Sequence, residues 1–309
     1  MKTRCPGRAP RNVARWLGAL ALAAGALVTS LPAAAQRTYP TPEAAADAFT
    51  DAIATNDLSA LQSVLGPNWR QFVSTREIDR EDIYTYLEAW SQRHGIVNDG
   101  PDRAHLAAGT GDWTMPIPIV KVAGGWRFDP RAGVDVMKSR RIGRNELAAM
   151  QAALAYYDAQ RDYARNDRDG DGVLDYAQRF ESTPGRRDGL YWPTAPGEPE
   201  SPLGPAYADA RNQDGYHGYR FKILTAQGPN APGGAYSYLI GKRLRSGFGL
   251  LAWPARWGET GVMSFIVNHE GVVYEKNLGT GTAAAAHAIT RFDPDPSWQK
   301  APALAPASK

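Results

Sequence analysis

Cys5 is the only cysteine in a chain of 309 residues, and it sits in a stretch that reads as an export leader. Whatever follows that leader has to fold by packing alone, with no disulfide and no thiolate metal site. Residues 1–35 carry Lys2, Arg4, Arg8, Arg11 and Arg15 and no acid. An apolar run from Trp16 to Ser30 follows, and then Ala33 and Ala35 place small residues at −3 and −1 of a secretory cleavage site. The pattern predicts cleavage after Ala35 and a periplasmic or secreted mature chain. The apolar run falls short of the roughly 20 residues a membrane span needs, and no second candidate span follows. Cys5 precedes the run, so it is not placed to carry a lipid.

The leader also reassigns the charge. The whole chain has 35 Lys and Arg against 32 Asp and Glu, a net of +3. Taking the five leader bases from 35 leaves 30 against 32, a net of −2 for the mature chain. Nucleic-acid binding needs a basic field that such a chain does not have. The length still allows two modules of ordinary size.

Four segments follow from pattern and composition: a signal peptide over 1–35, an N-terminal α+β module over 36–138, a C-terminal module over 139–298 and a flexible tail over 299–309. In the first module Thr41, Pro42 and Glu43 supply an N-cap, a first-turn proline and a first-turn acid. Ala45, Ala48, Phe49, Ala52 and Ile53 then recur at helical spacing. Helices are also predicted over Leu58–Leu65 and Ile83–Ser91. Strands are predicted over Ala104–Ala107, Trp113–Val122 and Gly125–Asp129, with a hairpin at Gly124 and Gly125.

In the second module the longest helical pattern runs from Asn145 to Arg165, and a shorter one from Val173 to Phe180. The section Ser182–Pro205 is rich in Pro and Gly, yet Leu190, Tyr191 and Trp192 mark it as packed. Five antiparallel strands are predicted after Tyr219, with a tight turn at Asn268–Gly271. The fold class expected is α+β: N-terminal helices on an antiparallel sheet, then a long helix packed on a C-terminal antiparallel meander sheet.

Several strings carry a resemblance. Trp113–Lys121, Gly125–Asp129, Arg140–Leu147, Asp188–Pro193, Ser201–Pro205, Gly215–Tyr219 and Phe265–Leu278 resemble the bacterial family called domain of unknown function 2950, over roughly Tyr39 to Trp298. The resemblance implies an exported envelope protein and carries over no catalytic residue. At the level of fold, Pro42–Phe49 with Ala54–Leu58 is similar to nuclear transport factor 2-like domains, which implies helices enclosing a curved sheet. The C-terminal half resembles the soluble domains of type IV pilins and pseudopilins, through a long helix with Tyr156 to Tyr163, then Tyr216–Phe221, Ala252–Pro254 and Gly261–Val273. Pilins assemble through a hydrophobic N-terminal helix, whereas the pattern here is amphipathic and internal.

Three groups of residues are candidates for function. Asp167, Asp169, Asp171 and Asp175, with Gly172 and the Val173 carbonyl, match positions 1, 3, 5, 9, 6 and 7 of a calcium loop. Position 12 is Gln178 where a Glu normally completes the shell, and the alternative is an Asp-Gly turn with capping acids. Asp188, Trp192 and His217 would line a pocket, which is the basis of an alternative reading as a periplasmic hydrolase of an envelope polymer. A packed, hydrogen-bonded His217 is the competing expectation. Arg140, Arg141 and Arg144 form a basic cluster between the modules, suited to an inter-module contact through Glu146 or Asp135, or to an anion or a partner's acidic face. No Gly-x-Ser-x-Gly elbow, zinc-spaced histidine pair or phosphate loop is present. The expected function is therefore binding or scaffolding in the cell envelope, without catalysis, for an envelope protein or polymer.

Overall fold

The computed structural model describes residues 35–74, 78, 80–168, 170–205 and 215–304. Residues 1–34 of the leader predicted over 1–35, Asp169 of the acidic loop and the last five residues of the tail lie outside the described residues.

Helix α1, Pro42–Ala54, begins as its sequence predicts: the Thr41 side chain accepts a bond from the Ala44 amide at 3.2 Å, with Pro42 in the first turn. Helix α2, Leu58–Leu65, is capped by Asp57, whose Oδ1 accepts from the amides of Ser59 and Ala60, both at 2.9 Å. A 3-10 turn at Trp69–Gln71 and helix α3, Arg80–Gln92, complete the helical part. The sheet beside them is antiparallel in the order β1 (His94–Asn98), β2 (Arg103–Ala108), β3 (Ile119–Val122), β4 (Gly125–Phe128). Ala45, Phe49, Leu61, Val64 and Leu65 from the helices bury against Leu106, Ile119 and Phe128 from the sheet. The segment before α1 ties back as well: Tyr39 and Trp126 exchange backbone bonds at 2.7 and 2.8 Å. Gly125 makes that approach possible, because a Cβ there would run into the Tyr39 carbonyl, and its φ of +137° favours glycine.

Helix α4 runs without a break from Val134 to Tyr163, 30 residues and about 45 Å. It starts eleven residues before the expected Asn145, so it crosses the boundary placed at 138/139, and the arginine cluster lies within it. Its buried positions, Ala149, Ala152, Ala153, Tyr156, Ala159, Gln160 and Tyr163, all fall in the second half. They face an antiparallel sheet in the order β13 (Gln299–Lys300), β12 (Tyr274–Asn277), β11 (Met263–Asn268), β10 (Gly249–Pro254), β5 (Tyr219–Leu224). Between β5 and β10, the short pairs β6 (Ala226–Gln227) with β7 (Tyr236–Ser237), and β8 (Leu239–Ile240) with β9 (Arg243–Leu244), form a side ribbon.

Strand β10, paired on both sides, is buried at all six positions. Leu250 packs with Ala153 and Tyr156 of α4, while Leu251 packs with Ala286 and Phe292 on the opposite face. The cover on that second face is helix α5, Thr282–Ala288, whose alanines gave no amphipathic signal in the sequence. A strand covered on both faces has no reason to alternate, and its continuous apolar sequence follows from that. Gln299–Lys300 pair with β12, and the Ala301 amide bonds to the Val273 carbonyl at 3.0 Å, so pairing extends into the segment read as tail.

Side chains pin α4 in place. Glu146 Oε1 accepts from the amides of Val262 and Met263 at 2.8 and 3.0 Å, and Asn145 donates to the Thr260 carbonyl at 2.9 Å. Gln160 is fully buried; its amide donates to the Ala177 carbonyl and the Tyr156 hydroxyl, and its oxygen accepts from the Ala177 N–H at 2.8 Å. That grip shows why Val173–Phe180 is not the predicted helix. Both backbone groups of Ala177 are held by a side chain of α4, and the Tyr176 amide bonds to Leu244 of β9. The Pro- and Gly-rich section behind it is packed, with Leu190, Trp192 and Leu203 all in the core.

Gln160→Ala leaves the Ala177 N–H and carbonyl buried with no partner and the Tyr156 hydroxyl with the Gly249 carbonyl alone. Denaturant unfolding should show a loss of about 3 kcal/mol; a loss below about 0.5 kcal/mol, the scale of an ordinary surface substitution, would remove Gln160 from this role. A second test concerns His269, in the turn after β11. Burial against Tyr238 and Phe248 pushes its imidazole below the ordinary 6.5, against a smaller opposing pull from Glu270. Below 6.5 the unfolded chain then binds more protons at this site than the folded one, so stability falls as pH drops through that value. Denaturation midpoints between pH 7.5 and 5.5 should show this fall, and His269→Gln should flatten it; an unchanged slope in the variant would assign the fall to other groups.

Candidate functional site

The acidic loop follows directly from the end of α4. Asp167 folds it: Oδ1 accepts from the amides of Gly170 and Asp171 at 2.8 and 3.2 Å, and Oδ2 from Gly172 at 2.7 Å. Asp171 Oδ1 accepts from the Val173 amide at 3.0 Å, while its Oδ2 lies 2.7 Å from Arg243 Nη1. Asp175, nearly buried, receives Arg243 Nε on one oxygen and Arg245 Nε on the other, the latter at 2.7 Å. Arg243 therefore bridges two of the loop's carboxylates from β9. Val173 and the Asp175 side chain occupy different surroundings, one more than a third exposed and the other 6% exposed. Among the described residues, no three His, Cys, Asp or Glu side chains gather as a metal-holding group.

Asp188, Trp192 and His217 are not brought together. The Asp188 carboxylate accepts from the amide and hydroxyl of Thr183 at 2.7 and 2.9 Å, with Arg179 3.7 Å away. Partial burial works against its charged form, but the Thr183 bonds and Arg179 outweigh it and hold the carboxyl below the ordinary range. Trp192 is a core residue, with the guanidinium groups of Arg168 and Arg187 over its ring at 5.7 and 5.6 Å. His217 is exposed, and with Gly218 it forms the two-residue turn between Tyr216 and Tyr219, both at positive φ. Gly218 lies against Asn145, whereas Tyr163 bonds to the Arg187 carbonyl beside Asp188. Eighteen helical residues separate those two points on α4, about 27 Å. A general acid, base and nucleophile need to meet within hydrogen-bond reach, and this set does not.

The arginine cluster, in contrast, faces a cleft. Val134, Met137, Lys138, Arg140, Arg141 and Arg144 of α4 form one wall of a space of about 310 Å³. The opposing wall is Phe72, Val73, Ile78, Trp113 and Pro116 of the N-terminal module. Arg140 spans the two walls, donating to the Thr114 carbonyl at 2.6 Å with its guanidinium 6.0 Å from the Trp113 ring. The inter-module contact is thus made to a carbonyl, and Glu146 is committed to the β11 backbone. Among the described residues lining this cleft, four carry positive charge and none is acidic.

Trp113, Lys138 and Phe72 were not legible as site residues. Positions 134, 137, 138, 141 and 144 share one face only if the helix begins at Val134; with a start at Asn145 they remain a run of charges in a linker. Trp113, 45% exposed, was assigned to a strand that does not form there.

The two uses of the acidic loop can be separated. A calcium ion held there would have to displace Arg243 from Asp171 and Asp175. With the arginine bridge closed, EGTA leaves the melting temperature unchanged and Asp175→Ala costs about 3 kcal/mol in denaturant unfolding. A melting temperature that falls on chelation, and no longer does so in Asp169→Ala, would assign the loop to the metal.

No curated protein and no solved structure matches the chain. Residues 36–301 match the family described as Protein of unknown function (DUF2950). That span is most of the sequence and includes both walls of the cleft, and the chain belongs to this DUF2950 family.

Proposed function

We propose that this chain is an exported protein of the cell envelope that works by binding, without a chemical step, and that its ligand enters the cleft between the N-terminal module and α4. The cleft itself carries the reading. It sets four cations on one helical face against an aromatic and aliphatic wall, which suits an anionic ligand with an apolar body. Lys138 and Arg141, Arg140 and Arg144, and Arg141 and Arg144 stand three or four residues apart, where like charges repel. A bound anion relieves that repulsion.

Export is supported by the basic and apolar leader, by the confinement of the only cysteine to it, and by a family match that begins at Gln36. Gln36 is also the point where the chain anchors, donating to the carbonyls of Val64 and Phe128 at 2.9 and 2.7 Å. No helix among the described residues is long and apolar enough to cross a membrane.

The test uses protein recovered from the periplasmic fraction, with its N-terminus expected at Gln36. Citrate at about 100 times its Kd should stabilise the fold by about 2.7 kcal/mol, read as a rise of several degrees in melting temperature. Lys138→Glu with Arg144→Glu should abolish the rise while keeping the unliganded melting temperature within a few degrees. A citrate effect that survives the double charge reversal would place anion binding elsewhere.

A further inference from the structure

Trp113 has a cleft on each side. The second one, about 400 Å³, is lined by Arg93, His94, Thr110, Asp112 and Thr114 and by the backbone of Gly109 and Gly111. The same indole lines the basic cleft. Its ring has the Arg140 guanidinium at 6.0 Å and the Tyr86 ring at 6.2 Å, tilted away from a flat stack, and it remains 45% exposed. A large apolar ring fixed in position and left open at the junction of two clefts is a stacking platform.

The second cleft differs in chemistry from the first. Hydroxyl, imidazole and carboxylate groups stand there beside Ile96, Val97 and Ala107, and one acid joins the single cation Arg93. Gly111 leaves the main chain open to a ligand, with no atom within 4 Å of a Cβ built there. His94 is stacked flat on Trp90, ring centroids 3.9 Å apart at 3°, and its Nδ1 bonds to the Trp90 carbonyl at 2.8 Å. A ring nitrogen facing a carbonyl carries the proton, so in the neutral imidazole Nε2 is an acceptor. Asp112 adds an acceptor, and Thr110 and Thr114 add groups that both donate and accept.

We infer that the two clefts and the Trp113 ring between them form one groove for an acidic glycan: sugar rings stack on Trp113, hydroxyls bond in the His94 and Asp112 cleft, and carboxylates pair with Lys138 and Arg144. The inference rests on the binding reading above and adds the ligand class. An acidic peptide would use the cations equally well, but it gives the hydroxyl-matching cleft and the open indole nothing specific to do. A nucleic acid chain would meet a mature protein of net charge −2 with a single small basic face.

Isothermal titration with a short oligogalacturonate, a matched neutral cello-oligosaccharide and a poly-glutamate peptide tests the assignment. Oligogalacturonate should bind with salt-sensitive affinity, and cello-oligosaccharide should bind at least tenfold more weakly. Trp113→Ala should weaken oligogalacturonate by about tenfold, the scale of one lost stacking contact, and Arg144→Glu by a similar factor. Asp112→Asn serves as a second, conservative probe of the hydroxyl cleft and should weaken the glycan while leaving the citrate effect intact. If oligogalacturonate fails to bind while citrate still stabilises the protein, the glycan is overturned and the anion cleft stands. If neither acts, both fall. Poly-glutamate that binds more tightly than the glycan, with no loss in Trp113→Ala, assigns the groove to an acidic peptide and overturns the inference.

Discussion

The alanine face of α4 sets the geometry of the rest. Ala149, Ala152, Ala153 and Ala159 carry no side chain beyond Cβ, so the helix axis can lie close to β10 and β11. Close approach brings polar groups within reach across the interface. Tyr156 meets the Gly249 carbonyl, Glu146 meets the start of β11, and Gln160 holds the loop that follows the helix. Larger aliphatic residues at the alanine positions would bury more surface but push these groups apart, and buried polar atoms without partners cost more than a modest gain in apolar area returns.

Because the second half of α4 is fixed in this way, the first half is presented as a rigid arm. It needs little apolar surface of its own, and its apolar contribution to the cleft wall is Val134 and Met137. The remaining positions are free to carry Lys138, Arg140, Arg141 and Arg144. Groups mounted on a helix held at one end by a core keep their spacing better than groups on a loop, which is the condition for recognising an extended ligand. The same division explains why the acidic loop and the basic cleft are far apart. They lie at opposite ends of one helix, and the arginines that meet Asp171 and Asp175 come from β9 and the residue after it.

Local signals were legible where they act locally. Thr41 with Pro42, and Asp57, announce α1 and α2 because a cap works through neighbouring amides. The C-terminal meander was readable from its strand pattern and from the Asn268–Gly271 turn. What failed was whatever depends on a distant partner. Residues 173–180 have helical spacing, but Leu174 is 57% exposed and the Ala177 backbone belongs to Gln160, seventeen residues earlier. Strand β1 has no apolar alternation because it stands at an edge with both ends exposed, and α5 hides in a run of alanines. The arginine cluster could be seen as a cluster; its face could not, since the helix start and the Trp113 wall are both set by tertiary packing.

The two residues at the far edge of the C-terminal sheet have a further meaning. Strand β12 would otherwise present a row of open amides and carbonyls to any extended chain it met. Gln299–Lys300 and Ala301 occupy that row. The cover is short, it ends in a lysine, and proline follows at 302, so the new outer edge offers little to pair with and a charge to repel a second copy. Until these residues dock, the β12 edge stands open, so a short pairing made late in the sequence is what closes the sheet to aggregation.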